Sequence, residues 1–194
     1  MDTQTYERIE AYLGKSREDL SRLKAMWEDP MVQLYNDTEP PQELDKGSVF
    51  LAGPTSRNQI LHWQWRAHAV WLLRHYGLTG WIFCPEPRGY EAPSDFTERA
   101  HIHTWESKRL LRAERVLFWI PRKADELLGL NTNLELGIML GRAMLNEEER
   151  RRLMVGWPHE AERIGLPNHY MEIAASYRYT TLEELCQQTV YNMS

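Results

Sequence analysis

The sequence predicts an α/β domain built on a mainly parallel sheet with helices on both faces. Three observations lead there. Short apolar runs at residues 48–53, 81–84, 115–120 and 153–156 read as buried strands, stretches of helical periodicity separate them, and glycine or proline ends each run. Parallel strands need long crossovers, and these helical stretches are long enough to be them. In such sheets ligands bind beyond the carboxyl ends of the strands, near the switch in strand order. Loops 53–58, 85–90 and 121–133 are therefore expected to meet on one rim.

The elements follow in chain order. Residues 1–46 read as a helical extension, because Ile9, Leu13, Leu20, Leu23 and Trp27 recur at near-helical spacing until Pro30 and Pro40-Pro41 interrupt them. Residues 47–194 are the domain proper. Ser48-Val49-Phe50-Leu51-Ala52-Gly53 is its first strand, and a helix from Gln59 to Tyr76 stops at Gly77. Trp81-Ile82-Phe83-Cys84, the second strand, runs into an irregular loop, Pro85-Glu86-Pro87-Arg88-Gly89-Tyr90. A helix over 101–113 precedes the third strand, 115–120, and residues 122–130 are loop. A helix over 132–145, a charged turn over 146–152, and the fourth strand at 153–156 follow. A short helix at 170–175 and a brief strand at 177–179 lead to the last helix, which Thr181-Leu182-Glu183-Glu184 opens as a capping box.

Bulk composition narrows the function classes. The 194 residues are 42% hydrophobic and 26% charged with a net charge of −5, a globular balance with little attraction for a nucleic-acid backbone. No nucleic-acid polymer is expected as a partner. Cys84 and Cys186 form no C-x-x-C motif, so neither a zinc knuckle nor a disulfide framework is indicated. The first residues lack the basic-then-apolar pattern of a signal peptide, and no apolar run reaches the roughly 20 residues that span a bilayer. The expected setting is cytoplasmic, without a membrane partner. The eight tryptophans suit core packing, an oligomer interface or stacking on a flat ligand.

The candidate chemistry centres on Asn131-Thr132-Asn133-Leu134-Glu135-Leu136-Gly137. Thr132 and Glu135 fit a capping box, which would be structural. A carboxylate at a helix N-terminus is also held ionised, its pKa lowered by the dipole, and can serve as a nucleophile toward an anomeric carbon. A metal-ligand role lacks the clustered partners it needs. In Gly53-Pro54-Thr55-Ser56-Arg57 the backbone N–H groups and hydroxyls either face a ligand, with Arg57 reaching a phosphate, or form a turn that caps a helix. Neither G-x-G-x-x-G nor a P-loop is present. Glu106, Asp125 and Glu126 are solvated acids or substrate ligands, and His101 with His103 do not share a helix face.

Taken together, Val49-Phe50-Leu51-Ala52-Gly53-Pro54-Thr55, Trp65-Arg66, Pro85-Glu86, Trp105-Glu106, Phe118-Trp119-Ile120-Pro121-Arg122 and 131–137 resemble the nucleoside 2-deoxyribosyltransferase-like family in order and spacing. The resemblance spans about residues 48–190. It implies a flavodoxin-like three-layer sandwich that cleaves N-glycosidic bonds without metal or cofactor, acting on a nucleoside or nucleotide and a free base. It implies that Glu135, in the E-L-G signature, is the nucleophile. Glu106, eight residues before Glu114, takes the place of a carboxylate that contacts base or sugar, and Asp125 that of a loop acid. Gly53, Pro54, Thr55, Arg57, Glu86, Trp105 and Asn133 are the substrate-binding residues so implied, with Trp65 and Trp105 stacking on the base or packing beneath it. The family further implies a homo-oligomer, in which Tyr191-Asn192 would reach a neighbour's pocket. Nucleoside 5′-monophosphate or NAD N-glycohydrolysis, and a non-catalytic nucleotide-binding module, are the alternatives.

Overall fold

The computed structural model describes residues 17–35, 37, 46–55, 59–86, 96–124, 127–174 and 176–193. Among them the chain forms, in order, α1 (Arg17–Glu28), β1 (Val32–Leu34), β2 (Val49–Ala52), α2 (Gln59–His75), β3 (Ile82–Cys84), α3 (Phe96–Arg112) and β4 (Arg115–Trp119). Then come α4 (Leu130–Leu145), α5 (Glu147–Arg152), β5 (Leu153–Gly156), α6 (Gly165–Ile173), β6 (Arg178–Tyr179) and α7 (Leu182–Tyr191). The six strands form one sheet, every described pair parallel, in the order β1-β3-β2-β4-β5-β6. Without the edge strand β1 this is the flavodoxin-like order. No described helix is long and apolar enough to cross a membrane.

Alternation along the strands sorts the core into two layers. Val49 and Leu51 of β2 pack with α1, α2 and α7, while Phe50 and Ala52 pack with α3, α4 and α6. β2, β3 and β5 are buried at every residue, as strands covered on both faces must be. The chain leaves β2 for β3 on one side through α2 and reaches β4 on the other through α3, so the switch in strand order lies between β2 and β4.

Two expectations need correction. The N-terminal extension is not purely helical, because it adds β1 beside β3 in the register Val32↔Ile82. Leu23 and Met26 of α1 are buried in the same core, and a 2.7 Å ion pair from Arg74 Nε to Asp29 ties the extension to the end of α2. A three-residue strand carries too little alternation to be read, and the ladder offered by β3 stabilises it. Residues 147–152 are not a turn but the short helix α5. Asn146 Oδ1 accepts from the Glu148 N–H at 2.8 Å, and glutamates in the first turn with arginines in the last match the helix dipole.

Candidate active site

The segments that follow β2, β3 and β4 meet at the carboxyl rim of the sheet, as expected. They enclose a cavity of about 230 Å³ lined by Ala52, Gly53 and Thr55, by Pro85, and by residues 128–132, with Phe50, Arg66, Glu106 and Glu135 completing the wall. Two glycines allow the close approach. Gly53 has φ +155, and a Cβ there would fall against the Trp119 carbonyl and 2.7 Å from the Trp65 ring. Gly129, the N-cap of α4, is left-handed at φ +62, and a Cβ there would lie 2.7 Å from Pro54 Cβ. The β4–α4 loop thereby rests directly on the loop after β2.

Arg66 organises the floor. Only 1% exposed on α2, it donates from Nη2 to the Gly53 carbonyl at 2.8 Å and from Nη1 to Thr55 Oγ1 at 3.2 Å, and its Nη1 forms an ion pair with Glu86. Its guanidinium also lies over the Trp65 ring, 4.5 Å from the centroid. A fork with this many acceptors holds the β2 loop and the β3 loop in one relative position. The sequence quoted Arg66 without assigning it a role. The signal was present: position 66 falls three after Trp63 and four before Val70, on the apolar stripe of its helix.

Glu135 and Glu106 face the cavity from α4 and α3. The capping-box reading of Glu135 fails here. α4 starts at Leu130, so Thr132 lies inside the first turn, the N-cap is Gly129 with no side-chain cap, and Glu135 stands one turn further in. The expected lowering of its pKa is also overturned. Burial, and then the nearby Glu106, push Glu135 up to about 7, with Arg66 and His103 opposing. Burial likewise pushes Glu106 to about 7, Arg66 opposing and Glu86 adding to the rise. Dehydration outweighs the helix dipole because the dipole's influence fades beyond the first turn. The exposed His103 on the same helix has its Nδ1 3.4 Å from Glu106 Oε2.

The other sequence-predicted residues divide. Gly53 and Thr55 line the cavity, whereas Pro54 is buried beside it and offers its carbonyl to Trp65 Nε1 at 3.3 Å. Glu86 is 2% exposed and acts through Arg66 rather than from the cavity wall. Trp105, 2% exposed, does not reach the cavity surface; it packs beneath, against Phe50 and Phe83 at ring distances of 6.3 and 6.5 Å. Asn133 turns away, its Oδ1 accepting from Arg122 Nη2 at 2.6 Å. Arg57 and Asp125 lie outside the described residues. Tyr191 and Asn192 sit at the opposite end of the sheet, where the Asn192 carbonyl accepts from Arg115 Nη2.

Residues 128–131, expected on this rim as part of a longer loop, line the cavity as the lead-in and the first turn of α4. Arg122, buried and donating to the Arg163 carbonyl at 3.0 Å as well as to Asn133, braces that lead-in. Among the described residues no group of three or more His, Cys, Asp or Glu is placed to hold a metal ion. The chain matches no protein-family model, and no curated protein matches it.

Proposed function

We propose that the protein cleaves the N-glycosidic bond of a (deoxy)nucleoside and transfers the deoxyribosyl group to another base through a covalent ester on Glu135. This is the activity of the nucleoside 2-deoxyribosyltransferase-like family that the motifs resemble. The observation that carries the reading is that Glu106 and Glu135 line one cavity, where burial pushes each carboxyl up to about 7. Two carboxyls so matched hold one proton between them near neutral pH, which supplies a nucleophile and an acid together.

In the first half-reaction Glu135 attacks C1′ and the C1′–N bond breaks. The bonding pair goes to the base nitrogen, which takes the proton held by Glu106. In the second, a nitrogen of the acceptor base attacks C1′ and the ester bond breaks. Glu135 leaves as carboxylate and Glu106 recovers the proton. The charge that develops on the sugar ring lies between these carboxyls, where fixed groups stabilise it without reorganisation. Trp105 beneath the floor and the Arg66–Glu86 pair hold the walls; neither is asked to react.

Hydrolysis of a nucleoside 5′-monophosphate is the second reading. It is favoured by the first turn of α4, which has no side-chain cap and borders the cavity at 130–132, a setting suited to a phosphate. A homo-oligomer belongs to the same proposal. Leu130, Leu134, Ile138 and Leu145 form an exposed apolar stripe along α4 beside exposed Leu166, Tyr170 and Ile173 of α6. Sedimentation of Ile138→Glu beside wild type tests this: a shift to monomer supports it, and a wild type already monomeric contradicts it.

The activity is tested by incubating wild type and Glu135→Gln with deoxynucleosides, nucleoside 5′-monophosphates and NAD, with and without free base, and separating the products by chromatography. Base exchange that is lost in the variant supports transfer. Base release without exchange supports the hydrolase, and inactivity of both proteins on every substrate leaves a binding module.

A further inference from the structure

We propose that the opposite rim of the sheet carries a second binding site, for a small phosphorylated molecule with a flat ring, of the mononucleotide class. A cavity of about 420 Å³ lies there, at the start of β4 and β5 and beside β6. That volume falls within the range of about 300–1,000 Å³ typical of small-molecule sites, and it exceeds the 230 Å³ of the cavity at Glu135. Its floor is apolar, made by Leu153 and Met154, and its wall carries Arg115, Arg150 and Arg151.

The arginines point to an anion. The donors an oxyanion in the cavity would meet are the outer guanidinium groups of Arg150 and Arg151, whose side chains are 40% and 76% exposed. The local carboxylates do not suffice. Glu147 is shared between Arg150 at 3.2 Å and Arg151 at 3.8 Å, while Glu114 lies 3.7 Å from Arg115, so three guanidinium groups face two carboxylates. This positive excess stands on a chain whose net charge is −5. Burial, opposed by Glu114 and reinforced by Arg152, holds the Arg115 pKa below its usual value.

The ring requirement comes from the adjacent wall. Tyr177 and Tyr179 meet edge to face with centroids 4.8 Å apart, and Tyr177 is 69% exposed. An open aromatic face next to guanidinium groups accepts a planar ring by stacking while its phosphate reaches the arginines. Because Glu135 lies at the other end of the strands, a ligand bound here would not compete with one at the first cavity. The site stands whether or not Glu135 is catalytic.

The test is calorimetric titration of the full chain with AMP, GMP, CMP and UMP, and with adenosine and inorganic phosphate as fragments. At least one monophosphate is expected to saturate with a Kd below about 1 mM, and each fragment to bind at least about tenfold more weakly. Arg150→Gln combined with Arg151→Gln should weaken binding about tenfold or more, and Tyr177→Ala several-fold. These side chains are 40%, 76% and 69% exposed, so the fold should tolerate their loss. Glu135→Gln should leave this affinity unchanged. No saturable binding of any monophosphate, a stoichiometry and affinity unchanged in the double arginine variant, or loss of all binding in Glu135→Gln would each overturn the assignment.

Discussion

Replacing Glu135 with Gln should stabilise the fold at alkaline pH and leave it almost unchanged in acid. An unperturbed Glu titrates at 4.5, whereas in the folded protein burial and Glu106 push this one to about 7. The folded state thus holds the proton more tightly than the unfolded state. Its contribution to stability is fully present below about 4.5 and is lost as pH rises through 7, where a disfavoured carboxylate must form. At about 1.4 kcal/mol per pH unit separating the two states, the loss is at most about 3.5 kcal/mol. Gln carries no such charge. For a domain of this size, each kcal/mol moves Tm by roughly 2–4 °C, so the variant should melt up to about 7–14 °C above wild type at pH 9 and within about 1 °C of it at pH 4. Thermal unfolding followed by circular dichroism, at constant ionic strength from pH 4 to 9, measures this. A gain of equal size at every pH, or a variant less stable than wild type at pH 9, would refute the reasoning.

Three further outcomes follow from the same geometry. Glu106→Gln removes the proton donor and should lower kcat on nucleosides by about 10²- to 10⁴-fold. Wild type should show a bell-shaped rate profile centred near pH 7, since protonation of Glu135 ends activity on the acid side and ionisation of Glu106 on the alkaline side; steady-state kinetics from pH 5 to 9 should find the alkaline limb missing in Glu106→Gln. Arg66→Met removes the arginine from the buried Glu86 carboxylate and should cost about 3–5 kcal/mol in urea unfolding, much of it restored by adding Glu86→Gln; a loss below about 1 kcal/mol would contradict the bracing role.

The fold was legible because its strands are buried on both faces and punctuated by glycine and proline, a pattern that local sequence carries in full. β1 escaped it, since the ladder of β3 rather than any periodicity of Val32-Gln33-Leu34 makes it a strand. α5 escaped it because a helix of charges, held by Asn146 and by the Arg142–Glu149–Arg152 ion pairs, has no apolar stripe. At the site, the position of Glu135 beside the rim was legible and its electrostatics were not. The T-x-x-E spacing suggested an ionised cap, but the helix begins two residues earlier on a left-handed glycine that a Pro54 contact demands. Burial then reverses the sign of the pKa change. Asn133 and Trp105 carried the right motif but face Arg122 and the core, a distinction set by helix phase and not by sequence order.

The central claim is that Glu135 becomes a glycosyl ester. Acid quenching of the protein within the first turnovers on a deoxynucleoside, followed by proteolysis and mass spectrometry, tests it most directly. The account predicts that the peptide containing Glu135 gains the mass of one deoxyribosyl group, that added free base discharges it, and that Glu135→Gln never acquires it. Base release with no adduct on that peptide, or an adduct carried by Glu106 instead, would contradict it.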